Sequence, residues 1–133
     1  MNPATNALAT RLARFDRLVE VGIGLRTDVA ARLAKNTAVT ATDIHSCTVP
    51  EGIAFVRDDI TTPAIETYAD ADCIYALNLP PELHRPTRTV AREVGAEFLF
   101  TTLGGEFPAI PTESETLPGE TLFRATNRRS KNT

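Results

Sequence analysis

The chain predicts a three-layer α/β/α domain built on a mainly parallel sheet, and three observations carry that expectation. Short apolar, strand-like runs alternate with amphipathic helical runs along most of its length. The run "ADCIYALNL" is apolar at nearly every position, as a strand covered on both faces must be. Glycine, acidic or amide residues follow directly on the strand-like runs, where an open parallel sheet presents its ligand crevice.

Each element has its own local reason. In "PATNALATRLARF" the apolar residues Ala4, Leu8, Leu12 and Phe15 recur at helical spacing, with Pro3 suited to a first turn; residues 1–16 are expected as an N-terminal helix. "RLVEVG" reads as a short buried strand ending at Gly22. From Thr27 to Lys35, Val29, Ala30 and Leu33 form a helix stripe that Thr27 or Asp28 could cap. "AVTATDI" and "GIAFVRDDI" are the next strands, each ending in acidic residues, and "TPAIETYA" is a short helix after Pro63. "ADCIYALNL" is the fourth strand, broken by Pro80 and Pro81. The helix that follows ends just before Gly95. "EFLFTTL" is a fifth strand. The Pro- and Gly-rich stretch 104–120 is expected as a long loop with at most a short strand, and "TLFRATN" as a last antiparallel strand at an edge. Right-handed crossovers then give the order 3-2-1-4-5 for the parallel strands.

At 133 residues, residues 1–133 are expected to form a single domain with a real core, and the basic stretch 127–133 a frayed tail. The net charge of −3 offers no general pull toward nucleic acid. No apolar run reaches the roughly 20 residues that span a bilayer, and the first twenty carry no signal-type apolar core, so a cytoplasmic address is the expectation. Cys47 and Cys73 form no CxxC pair, and no metal site is expected. Asp43, His45 and Cys47 alternate in "DIHSC", but no second cluster would complete a coordination shell.

The stretch "VEVGIGLRTDVA" raises the functional question. Gly22 and Gly24 at a strand-to-helix junction imply that something approaches the backbone closely: a dinucleotide, another nucleoside cofactor, or the next helix. The third glycine of a G-x-G-x-x-G fingerprint is Thr27 here, and Glu20 would place a carboxylate near a pyrophosphate. Both features count against NAD, which is kept as the alternative, and favour a cofactor with cationic groups.

These motifs together resemble class I S-adenosylmethionine-dependent methyltransferases. "VEVGIGLRTDVA" resembles the family's first motif, "ATDI" its second, "IAFVRDDIT" its third and "ADCIYALNLPPEL" its fourth, in the family's order over roughly residues 18–103. The resemblance implies a Rossmann-like fold and S-adenosyl-L-methionine as cofactor. Gly22 and Gly24 would let the backbone approach, Glu20 would favour the methionine ammonium, Asp43 the ribose hydroxyls and Asp59 the adenine amino group. The short chain and the "PPEL" segment are also similar to a small archaeal family of uncharacterised methyltransferase-like domains.

The fourth motif would face the methyl acceptor. Asn78 and Glu82 are the candidate catalytic residues, Pro80 and Pro81 the candidate substrate-binding ones, and His84 a further candidate acid or base. Prolines fix φ and remove donors, so "LNLPPEL" is expected to hold one shape and leave its carbonyls open. "NLPP" departs from the "NPPY" or "DPPY" of amino-group methyltransferases. No aromatic follows Pro81 to stack on a flipped base, so methylation of nucleic-acid bases is not supported. Arg26 stands where that family's third glycine would be. The chain leaves little room for an acceptor-binding cap, so a second subunit or a protein partner is expected to complete the acceptor site. A non-catalytic cofactor sensor is the other reading.

Overall fold

The computed structural model describes residues 2–126, so the expected basic tail at 127–133 lies outside the described residues. The chain runs through α1 (Pro3–Leu12), β1 (Arg17–Val21), α2 (Asp28–Leu33), β2 (Ala38–Asp43), β3 (Ile53–Arg57) and a 3-10 turn at Ile65–Thr67. It continues through β4 (Cys73–Leu79), a second 3-10 turn (Pro81–Leu83), α3 (His84–Val94), β5 (Glu97–Thr102), β6 (Thr112–Leu117) and β7 (Glu120–Ala125). One seven-stranded sheet has the order β3-β2-β1-β4-β5-β7-β6. β1 to β5 pair in parallel and β7 joins β5 antiparallel. This is the Rossmann-like, methyltransferase-type architecture that the sequence predicts.

Two cores flank the sheet. α1 and α2 contribute Leu8, Leu12, Val29 and Leu33 to one face, against Leu18, Tyr75, Leu99 and Leu122. α3 contributes Val90 and Ala91 to the other, against Ile74, Phe98 and Phe100. Caps set the helix ends. Asn2 Oδ1 accepts from Ala4 N at 2.8 Å ahead of Pro3, and Gly95 closes α3 at φ 77°. At α2 the capping work falls to Asp28 alone: its Oδ1 accepts from Val29 N at 2.9 Å, and its Oδ2 takes the Thr5 hydroxyl of α1 at 2.7 Å.

The C-terminal part corrects one expectation. β7 is antiparallel but not at the edge; β6, cut from the expected loop 104–120, covers it and takes the edge. β6 is the short strand that stretch was allowed, but its residues are all half-exposed or exposed, leaving no apolar face to fix its position. Its local chemistry still suits a hairpin. Pro118 and Gly119, the latter at φ 77°, are the two residues between the paired Leu117 and Glu120. The hairpin is fastened to the N-terminal helix by a forked ion pair, Arg11 Nε to Glu115 Oε1 at 2.7 Å and Nη2 to Oε2 at 3.0 Å.

Candidate functional site

The parallel strands all end on one side of the sheet, and a cleft of about 380 Å³ opens there over β1, β2 and β3. Gly22, Asp43 and Asp59, from three separate motifs, share its walls. Gly22 (φ 73°) and Gly24 (φ 54°) take left-handed backbone that a side chain would strain, and a Cβ at Gly22 would meet nothing within 4 Å. The junction is bound to the next strand: Gly22 N and Ile23 N donate to Thr42 O at 2.9 and 3.1 Å.

The acidic residues differ in what they have left to offer. Asp43 Oδ2 accepts from Gly24 N at 2.9 Å and Oδ1 from His45 N at 3.0 Å, so one carboxylate orders both loops that border the cleft. Asp58 is consumed by structure: Ala64 N reaches Oδ1 at 3.0 Å and the Tyr68 hydroxyl reaches Oδ2 at 2.6 Å. Burial, and then that bond, push the Tyr68 hydroxyl well above its ordinary range. Asp59 receives Thr61 Oγ1 at 2.7 Å and Thr61 N at 2.9 Å, both on Oδ1, which holds its carboxyl below the usual range and leaves Oδ2 available. Ile44, Ile60 and Leu83 add apolar wall beside these carboxylates. Ile44 is 54% exposed at the cleft. Residue-by-residue reading missed Ile44, Ile60 and Leu83; the apolar neighbours of the acidic strand ends were their signal.

Glu20 is placed differently from its expected partners. It lies on the face of β1 covered by α1 and α2, is 1% exposed, and does not line the cleft. Its Oε1 accepts from the Tyr75 hydroxyl at 2.7 Å, while Oε2 has no partner among the described residues. Burial raises its carboxyl to about 8, although the Tyr75 bond works in the opposite direction. Arg26, the departure in the glycine loop, is on the surface with Nε 3.3 Å from Asp28 Oδ1.

The acceptor-side residues separate. Asn78 sits at a register shift between β4 and β5 with φ 54°, its amide donating to Thr101 Oγ1 at 2.7 Å. It lines a second cavity, of about 730 Å³, bounded by the 104–107 loop and the β6–β7 hairpin. Pro80, Pro81 and Glu82 line neither cavity, and Glu82 is exposed on the turn that carries Leu83. Two expectations about this segment are corrected. Its carbonyls are not open: Leu79 O is 2.9 Å from His84 Nε2, and Pro80 O accepts from Leu83 N at 3.0 Å. His84 is no surface acid or base. It is fully buried, Nδ1 accepts from Ala109 N at 3.0 Å, and the remaining ring proton belongs on Nε2, toward Leu79 O. Among the described residues, no group of three or more His, Cys, Asp or Glu is disposed to hold a metal ion, and no helix is long and apolar enough to cross a membrane.

Comparison with known proteins adds two facts. The fold recurs in solved methyltransferases. A Salinibacter ruber RNA methyltransferase in complex with S-adenosyl-L-homocysteine superposes with TM-score 0.69 at 17% identity, covering 99% of this chain and 96% of that one. Human N-acetylserotonin methyltransferase in complex with SAM gives TM-score 0.65 at 12% identity, covering 91% of this chain and 51% of that one. In sequence, a UPF0146 protein of Halobacterium salinarum is 53% identical over 120 residues, covering 89% of this chain and 93% of the relative. One from Archaeoglobus fulgidus is 44% identical over 92 residues, covering 68% of this chain and 71% of the relative. With residues 2–127 matched by the family described as an uncharacterised protein family, this chain belongs to UPF0146 and has a methyltransferase-like fold.

Proposed function

We propose that the cleft over β1, β2 and β3 binds S-adenosyl-L-methionine or its demethylated product, and that the chain is a small methyltransferase. The observation that carries this reading is the convergence of Gly22, Asp43 and Asp59 on one cleft of about 380 Å³. The residues fit the ligand part by part. The glycine junction admits close backbone approach, and Asp43 keeps acceptor capacity for a pair of ribose hydroxyls. Asp59 Oδ2 suits an exocyclic amine, with Ile44, Ile60 and Leu83 beside a flat ring.

When bound, the sulfonium supplies an electrophilic methyl group, and the protein's task is alignment rather than covalent chemistry. Asn78 is the residue on the acceptor side, held in one conformation by the Thr101 bond. The size of the chain is compatible with this reading. A solved methyltransferase of which the alignment covers 96% is in complex with S-adenosyl-L-homocysteine.

Isothermal titration with S-adenosyl-L-homocysteine and, in parallel, NADH tests the proposal. Binding of the first that is lost in Asp43→Ala supports it. Binding of NADH alone replaces it with the dinucleotide reading. Transfer of labelled methyl to a component of a cell extract, abolished in Asn78→Ala with cofactor binding intact, distinguishes an enzyme from a sensor.

A further inference from the structure

We propose that the cavity between the end of β4 and the β6–β7 hairpin is a binding site for an organic ammonium carried on a flat apolar body. As the methyl acceptor's site it rests on the reading of the neighbouring cleft given above; as a binding site it stands on its own geometry. At about 730 Å³ it is the roomier of the two strand-end cavities and lies within the usual range for small-molecule sites.

Its charge has one sign. Among the described residues, Glu106 and Glu120 are the only ionisable ones on its walls, and no described Lys, Arg or His joins them. The hairpin's own arginine is committed elsewhere: Arg124 pairs with Glu113 and lies 3.8 Å from Glu97. Arg11 is likewise held by Glu115. The two carboxylates therefore act on the cavity without a local counter-charge, in a concave space that focuses their field. Phosphate-bearing ligands are disfavoured there by the same field.

The apolar half of the match comes from Phe107, 89% exposed, with Leu103, 42% exposed, at the start of the same loop. Phe107 is on the cavity wall together with Phe123 of β7, and an aromatic face attracts an ammonium as well as a second ring. The hydroxyls of Ser114, Thr116 and Thr121 supply neutral hydrogen-bonding groups. The loop is anchored on its far side, where His84 Nδ1 accepts from Ala109 N and Ile110 is buried. Its shape is thus set in advance, which lowers the entropic cost of binding.

Three probes that share a phenyl ring separate charge from shape: phenethylamine, 2-phenylethanol and 3-phenylpropionate. Amide NMR spectra of the full chain, titrated with each, give the readout. Phenethylamine is expected to shift the amides of Gly104, Gly105, Thr116 and Thr121 and to bind roughly ten-fold more tightly than the alcohol, with no binding of the carboxylate. The double variant Glu106→Gln, Glu120→Gln should erase that preference. Gly105→Leu should abolish binding without refolding the loop: Gly105 has no positive φ, and a Cβ there meets nothing within 4 Å. Equal binding of all three probes, shifts confined to other regions, or no binding at millimolar concentration overturns the proposal. S-adenosyl-L-homocysteine titrated into the same samples reports separately at Gly24 and Asp43. Its failure alongside intact ammonium binding removes the cofactor reading and leaves this site standing.

Discussion

The Tyr75 hydroxyl donates to Glu20 Oε1 at 2.7 Å between directly paired residues of β4 and β1, and leaves Oε2 unpartnered in the core. Burial holds the Glu20 proton in the folded chain to about pH 8, whereas the unfolded chain releases it near the ordinary value of 4.5. The folded state binds the extra proton, so this contribution is complete below 4.5 and is lost as pH rises toward 8, with a slope of at most about 1.4 kcal/mol per pH unit. Glu20→Gln should remove that slope. Urea denaturation of both proteins at several pH values across the window checks it; parallel pH profiles would sink the idea.

Asp43 and Asp58 make opposite predictions although both end strands. Asp43→Ala should weaken S-adenosyl-L-homocysteine by roughly ten- to a hundred-fold, the size of a lost charged hydrogen bond, as read by calorimetry. Asp58→Ala should instead lower the melting temperature, because it strands the Tyr68 hydroxyl and Ala64 N. If Asp43→Ala binds like the parent chain, the cleft is misassigned.

His84→Ala should destabilise the fold by roughly 2–4 kcal/mol, through a cavity and two lost bonds rather than lost chemistry. The ring also packs against Phe100 at 4.5 Å between centroids. Hydrogen exchange at Ala109 should accelerate in the variant. Unchanged stability would return His84 to the list of acid–base candidates.

The Arg11–Glu115 fork should show a coupling of roughly 1–2 kcal/mol in a double-mutant cycle of Arg11→Ala and Glu115→Ala. The Arg11 bond holds the Glu115 carboxyl below its ordinary value of 4.5. Stability from this source is therefore present above 4.5 and is lost as pH falls through the lower folded value. A coupling that persists unchanged in strong acid would contradict this assignment.

The parallel half of the fold and the residues at the strand-end cleft were legible for one reason: buried strands must be apolar, so glycine and acidic residues that end them stand out. Gly22, Asp43 and Asp59 were found in that way, and the structure gathers them on one cleft. Glu20 shows the limit of that argument. Its alternation with Leu18 places it on the helix-covered face, whereas proximity to Gly22 suggested the cleft. The position of β6 escaped because water meets both of its faces, and it comes from pairing with β7. The role of His84 depends on Ala109, 25 residues away, and no local pattern announces such a partner.

The clasp between the first helix and the last hairpin also has a consequence for synthesis. Arg11 meets Glu115 across 104 residues, and a Cβ added at Gly119 would come within 3.3 Å of the Ala4 side chain at the same junction. A chain still on the ribosome makes α1 and α2 early, so Thr5 can meet Asp28 at once, whereas the clasp to the hairpin waits until residue 115 has emerged. Contacts so distant in sequence slow folding and leave apolar surface uncovered meanwhile.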